Sequence, residues 1–484
     1  MLCSELFRSC KHAPRRVPSA RNYVIMAFFK KKTDVDMTTG SIPGHLIRFA
    51  LPLLVGNLFQ QLYNTVDSWV VGNYVSNEAF SAVGTISPIV NLFVSFFSGL
   101  SVGAGVLVSQ YYGAKQDKKV GEAVHGGFFL VLVLGIVLTV VSMGLSPALL
   151  RMMKTPDEVF PEANTYMQIY CAGLLFLVIY NMAAAVLRAV GDTTRPFIYL
   201  VVTALVNIVL DLLFVLKFHM GVAGVAYATV ISEAVSMVLV MFSLLREKGS
   251  IRFRFGRLFQ PKKDMVRSIV RIGLPSGIQL SITSFSNVFV QSYINQFGTD
   301  LMGGWTCFNK VERLAQLPIQ SLNMSISTFV GQNIGNGDTE RAKKGVKAGF
   351  GIGFVLIASV AAVSWILAPQ LTAFFNAKTE VVEAGTMIIR LIMPFTIVNL
   401  WTNCQSGALK GAGDTRSVMI SSISGYVVCR QIYLFIMSNY ISNTPVPILL
   451  GVPVGWTCTM LFISFYYRKN CDRVLEAAAE KYRN

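Results

Sequence analysis

The feature that most constrains this chain is its succession of apolar runs, each long enough to cross a bilayer. A transmembrane helix needs roughly 20 mostly apolar residues. Reading between Gly, Pro and charge breaks predicts twelve such runs: 46–73, 83–111, 120–145, 162–189, 194–216, 221–245, 266–294, 303–333, 342–367, 381–409, 417–438 and 446–467. Internal prolines such as Pro52, Pro275, Pro318 and Pro394 are tolerable in helices buried in a bundle. Of the 484 residues, 53% are hydrophobic and 14% charged, against about 25% charged in ordinary soluble domains. Mean hydropathy is +0.54. These values exclude a soluble multidomain protein and a disordered one, and predict an all-α polytopic membrane protein.

The net charge of +17 follows from where the basic residues lie, and does not call for nucleic acid. Lys and Arg crowd the N-terminal segment, alternate loops and the C-terminus. The opposite loops hold only Arg151, Lys154, Lys217 and Lys378. That bias predicts both termini on the cytoplasmic side of the plasma membrane and an even number of spans. Eight Cys show no CxxC or paired spacing, and four His are scattered, so neither a disulfide framework nor a metal site is expected. Residues 22–29 are apolar but short, and Lys30-Lys31-Lys32 follow where a cleavage site would fall, which argues against a signal peptide. Met26 reads as the more natural start, with residues 1–25 an upstream extension.

The chain also repeats itself. LIRFALP (46–52) returns as IVRIGLP (269–275), VSQYYGAKQDKKVGEAVHGGF (108–128) as VGQNIGNGDTERAKKGVKAGF (330–350), and LRAVGDTTR (187–195) as LKGAGDTRS (409–417), all 222 or 223 residues apart. Three matches at one spacing predict two six-helix lobes related by an axis along the membrane normal, an arrangement typical of transporters. The organisation is then a cytoplasmic N-terminal segment (1–45), an N-lobe (46–246), a basic linker (247–265), a C-lobe (266–468) and a cytoplasmic C-terminal tail (469–484). In the GDT repeats, Gly191 and Gly413 suit helix ends, and Asp192 and Asp414 suit caps of the helices that follow. Gly411-Ala412-Gly413-Asp414 also spells the GxGD of intramembrane aspartyl proteases, but that enzyme needs a second Asp facing the first in mid-membrane, and here the motif recurs as a repeat pair at a membrane edge. HExxH and GxxxxGK[ST] are both missing, which argues against an enzyme of the zinc-peptidase kind and against ATP drive by this chain.

A charge inside the membrane is a functional candidate by default. The spans contain Asp67, Asp211, Glu233 and Glu312. At about 1.5 Å per residue, Asp67 and Asp211 lie at similar depth, with Thr229 and Glu233 somewhat deeper. Asn207 sits one turn before Asp211, and Thr229 one turn before Glu233. These residues are expected to form one polar cluster in the outer half of the N-lobe. The first helix adds a stripe of Asn57, Gln60, Asn64 and Asp67 at helical spacing. The seventh keeps a neutral stripe of Thr283, Asn287 and Gln291, with Val290 where the first has Asp67. The titratable site therefore belongs to the first lobe. Its carboxylates could exchange a proton, or ligate Na⁺ together with Asn207 and Thr229; a purely structural pair is the alternative. Lys310, near Glu312 and Arg313, could face the inter-lobe cleft or snorkel toward the surface. The 33 Phe, 17 Tyr and 19 Met suit an adaptable greasy cavity.

FALPLLVGNLFQQLYNTVDSWVVG (49–72), LRAVGDTTRP (187–196), NIVLD (207–211) and GVAGVAYATVISE (221–233) together resemble the multidrug and toxic compound extrusion family over roughly residues 40–470. The resemblance implies twelve helices in two lobes, alternating access, and export of organic, often cationic, compounds against H⁺ or Na⁺. The pattern is most similar to the DinF-like bacterial branch, whose cation site matches Asp67, Asn207, Asp211 and Thr229. The NorM-like branch places acids where Thr283 and Asn399 stand here. A lipid-linked oligosaccharide flippase of the same superfamily is the near alternative, and an intramembrane enzyme the distant one. The expected partners are a small organic substrate and membrane lipid, with no nucleic acid, no ATPase subunit, no cofactor beyond the coupling ion, and a monomeric state.

Overall fold

The computed structural model describes residues 36–75, 77–152 and 155–483. The readings made of residues 1–25, of 22–29 with the lysines that follow, and of Lys154 lie outside the described residues. Among the described residues twelve long helices follow one another. In the first lobe these are α1 (Ile42–Tyr74), α2 (Asn77–Gly113), α3 (Asp117–Met152), α4 (Phe160–Ala189), α5 (Thr194–Lys217) and α6 (Gly221–Arg246). The second lobe has α7 (Lys263–Asn295), α8 (Thr299–Gly335), α9 (Thr339–Ile366), α10 (Thr379–Gly411), α11 (Thr415–Ile441) and α12 (Pro445–Tyr482). The protein is an all-α polytopic membrane protein of two six-helix lobes. Ten of the twelve helices are apolar enough to cross a membrane by composition alone. The two that are not, α7 and α8, carry many of the polar residues that face the space between the lobes.

Both GDT repeats build the same turn. Gly191 and Gly413 take φ of +89° and +87°, a conformation that side-chain-bearing residues rarely adopt. The Asp192 and Asp414 amides donate to the Leu187 and Leu409 carbonyls, closing the preceding helix. Asp192 Oδ1 then accepts from Thr194 N and Arg195 N, and Asp414 Oδ1 from Ser417 N, opening the next. Asp414 Oδ2 also accepts from Tyr466 OH. These aspartates are caps.

The lobes meet along α2, α7 and α8, where glycines let backbones touch. A Cβ on Gly103 would stand 2.6 Å from Gly273 N and from the Ile269 carbonyl oxygen, and Gly99 faces Gly277 still more closely. Small residues at such crossings let van der Waals packing hold helices together in lipid. At the end of the bundle where Met37 lies and α12 finishes, the terminal face, Gln110 on α2 donates to the Gly411 carbonyl at 2.7 Å, and Gln332 on α8 donates to the Ala189 carbonyl at 2.9 Å. Each bond crosses between lobes, and each is the repeat image of the other. The amide oxygens of both glutamines are occupied as well. Tyr482 OH donates to Gln110 Oε1 at 2.7 Å, and Met37 N to Gln332 Oε1 at 3.0 Å. In the C-terminal segment α12 continues through residues 469–482, burying Cys471, Leu475, Ala478 and Ala479. The linker is likewise docked, with Phe253 stacked on His125 and Arg254 N donating to His125 Nε2.

Candidate functional site

Two polar regions stand out, and they are adjacent rather than one. The first lies inside the N-lobe. Its walls are the apolar core of α1, α4, α5 and α6, including Val70, Val71, Met167, Val215 and Val225. Asp67 on α1 and Asp211 on α5 face each other there within hydrogen-bonding reach. Asp211 and Asn207 are fully buried. Taken as carboxylates, both acids only accept, so neither can satisfy the other. Among the described residues, Asp67 Oδ1, both Asp211 oxygens and both Asn207 amide atoms have no hydrogen-bond partner. A buried polar atom without a partner costs about 1–3 kcal/mol, so five at one place describe a site shaped for something that supplies positive charge or a donor. Thr229 is buried on α6, its hydroxyl donating to Val225 O. Glu233, one turn on, has a buried oxygen without a partner. The sequence reading missed the tyrosines beside these acids: Tyr166 lies near Asp67, Asp211 and Glu233, and Tyr63 and Tyr170 near Glu233. Their signal was weak, because an aromatic on an apolar helix face ordinarily reads as core.

The second region is a cavity of about 840 Å³ between the lobes. Asn57 and Gln60 from α1 line it, as do Thr283, Asn287 and Gln291 from α7. The α1 stripe therefore divides. Its first part faces the cavity, Asn64 is exposed, and Asp67 turns into the lobe. Of the expected cavity contacts, Asn64, Glu233 and Lys310 do not line it, and Lys310 faces the other way. It is exposed, and its ammonium sits 4.9 Å from the centre of the Phe375 ring. Helix rotation explains the difference: Asn309, Glu312, Arg313 and Gln316 hold the cavity face of α8, and Lys310 is about 100° away from Asn309. The C-lobe wall carries an amide chain that the sequence did not reveal. Gln316 donates to Glu312 Oε1 at 2.8 Å, Asn399 donates to Gln316 Oε1 at 3.0 Å, and Tyr426 OH and Asn403 Nδ2 both donate to Asn399 Oδ1. Among the described residues no group of His, Cys, Asp and Glu is arranged to hold a metal ion.

Two pseudo-symmetric membrane lobes, a polar cavity between them and a closed seam at one end are the architecture of a transporter. The MatE family's sequence model matches residues 52–213 and again 275–436, at the same spacing as the repeats. The chain belongs to the MatE family of multidrug and toxic compound extrusion transporters. A probable multidrug resistance protein of Bacillus subtilis, YpnP, is 29% identical over 451 residues, covering 92% of this chain and 99% of its own length. The multidrug export protein MepA of Staphylococcus aureus is 21% identical over 406 residues, covering 83% and 88%. A transporter of the MOP superfamily from Pyrococcus furiosus, described as having a binding pocket of reverse polarity that suggests a different function, shares the fold. Its TM-score is 0.86 at 22% identity, covering 92% of this chain and 99% of that one. An outward-facing multidrug resistance MATE transporter superposes equally well, with a TM-score of 0.86 at 22% identity, covering the same shares of the two chains.

Proposed function

We propose that this multi-pass transporter is a secondary antiporter. It exports small organic compounds across the plasma membrane in exchange for H⁺ or Na⁺, and Asp67, Asn207, Asp211 and Thr229 form its coupling site. The observation that carries this reading is the facing pair of half-buried Asp67 and fully buried Asp211, whose Oδ1 and two oxygens, respectively, have no partner among the described residues. Two ionised carboxylates at such proximity in a low-dielectric lobe repel each other. One proton turns one of them into a donor to the other. A sodium ion serves the same end, with hard oxygen ligands from the acids, Asn207 and Thr229.

Binding draws α1 toward α5, and release lets them part. Helix α1 also lines the cavity through Asn57 and Gln60 and packs on α8 of the other lobe, where Ser325 donates to the Leu46 carbonyl. A change at Asp67 is thereby passed to the substrate space and to the contact between lobes, which biases one of two lobe arrangements. The crowding of Lys and Arg on the terminal side supports cytoplasmic termini.

Proteoliposomes with a pH or a Na⁺ gradient imposed separately test the proposal, with Asp67→Asn and Asp211→Asn alongside. One gradient is expected to drive organic solute movement, and each Asn variant to lose it. Undiminished gradient-driven transport in both variants would overturn the coupling assignment.

A further inference from the structure

The charge pattern of the cavity has no part in the coupling site. Four cations line it, Arg188, Arg313, Lys410 and Arg430, and Glu312 is the carboxylate among the described lining residues. Asp67, Asp211 and Glu233 do not line it. None of the four cations takes part in an ion pair among the described residues. Glu312 accepts from Gln316 instead. Arg430 is 4% exposed. Its Nη2 donates to Ser286 Oγ at 2.7 Å, but its Nε is buried without a partner.

Arg188 and Lys410 are repeat images of each other, one per lobe, at matching places in LRAVGDTTR and LKGAGDTRS. Each directly precedes a carbonyl, of Ala189 or Gly411, that accepts a cross-lobe glutamine bond. The two cations therefore flank the floor of the cavity where the lobes are joined. A snorkelling Lys or Arg directs its charge to the membrane surface, whereas these two line the cavity. Burying a cation without a counter-charge is costly, and a ligand that brings negative charge offsets that cost. Trp305, Phe308 and Trp456 line the same space, whose volume suits a drug-sized body.

We propose that the cavity binds an organic anion, a carboxylate, sulfonate or phosphate ester on an aromatic or apolar body, with its acidic head at Arg188 and Lys410. This departs from the cationic cargo that the family resemblance implies. The proposal rests on the antiporter reading for the direction and drive of transport, but not for binding. The head could belong to a soluble solute or to an anionic lipid, since the recognition chemistry is shared.

The test uses two probes with one body and opposite heads: pyrenesulfonate and a pyrenylmethyl trimethylammonium salt. Binding to the purified full chain is read by energy transfer from tryptophan to pyrene. The sulfonate is expected to bind about tenfold tighter or more, the difference that one charge-assisted hydrogen bond makes. The double variant Arg188→Gln with Lys410→Gln removes that preference. Arg188→Lys with Lys410→Arg keeps it, and the exposed Lys469→Gln leaves both affinities unchanged. The Arg188 and Lys410 side chains are half-buried and make no described ion pair or hydrogen bond, so the Gln variants are expected to fold. Tighter binding of the ammonium probe, or sulfonate binding that survives the double Gln variant, would overturn the proposal.

Proteoliposome arms separate this proposal from the antiport reading. Sulfonate binding with no movement under either gradient leaves the anion site standing and removes the antiport reading. Gradient-driven movement of the ammonium probe without sulfonate binding does the reverse. Pyrenesulfonate competing with the flipping of fluorescent phosphatidylglycerol assigns the head to a lipid. Gradient-driven sulfonate movement without lipid flipping assigns it to a soluble anion, and both of these support the site.

Discussion

Replacing Gln110 or Gln332 by Ala is expected to release the seam at the terminal face. Both side chains are buried, 3% and 0% exposed, and each satisfies both ends of its amide at once. Removing one deletes a cross-lobe bond worth about 0.5–1.5 kcal/mol net. It also strands buried partners: the Gly411 carbonyl and Tyr482 hydroxyl in one case, the Ala189 carbonyl and Met37 amide in the other. The cost to the closed arrangement then rises to about 1–3 kcal/mol. With that face open, water satisfies the same groups and the cost largely disappears. About 1.4 kcal/mol is tenfold in population. Each single variant should therefore shift the lobes roughly tenfold toward opening at the terminal face, and the double variant roughly a hundredfold if the two bonds act independently. Spin labels at exposed Lys118 and Lys344, one per lobe at that face, on a cysteine-free background, would report this by pulsed electron resonance as growth of a longer-distance population. An unchanged distance distribution in both single variants and the double variant would refute the reasoning.

The glycine seam should be intolerant of bulk. Gly103→Val forces side-chain atoms into Gly273 N and the Ile269 carbonyl oxygen, so detergent-solubilised protein should lose thermal stability or change its lobe spacing, and an unchanged melting profile would contradict the packing. Asp414→Ala removes the cap on Ser417 N and the acceptor of Tyr466 OH. A loss of about 1–2 kcal/mol is expected, read as a lowered melting temperature and matched by Asp192→Ala in the other lobe. Glu247, just past α6, is pulled upward by burial, but its hydrogen bond and charge attraction to Arg195 outweigh this and hold its carboxyl below the ordinary value. A lowered value in the fold means that its stabilising effect is complete above the unfolded value of about 4.3 and is lost as pH falls through the lowered one. Glu247→Gln should therefore flatten the acid limb of stability below about pH 4; a limb that keeps its slope would exclude the pair as a contributor.

The coupling candidates were legible because their signal is local. An Asp inside an apolar run is conspicuous, and Asn207 and Asp211 lie one helical turn apart. The GDT caps were legible for the same reason: Gly191, Asp192, Gly413 and Asp414 act on backbone groups a few residues away. The cavity wall was not. Nothing local in the sequence marks Arg188 and Lys410 as lining one space. Nor does anything local mark Gln110 and Gln332, whose bonds across the seam reach partners about 300 residues away in one chain direction or about 140 in the other.

By itself, then, the sequence determined what depends on composition, period and repetition. These are the membrane class, the spans, the two copies, the helix caps and the acids of the first lobe. Tertiary structure alone decided which way each polar residue turns. Neighbouring residues on a helix point about 100° apart, so Lys310 faces out while Asn309 lines the cavity. That rotation is set by which helices pack together, and here the packing joins two lobes whose glycine seam brings together residues far apart in the chain.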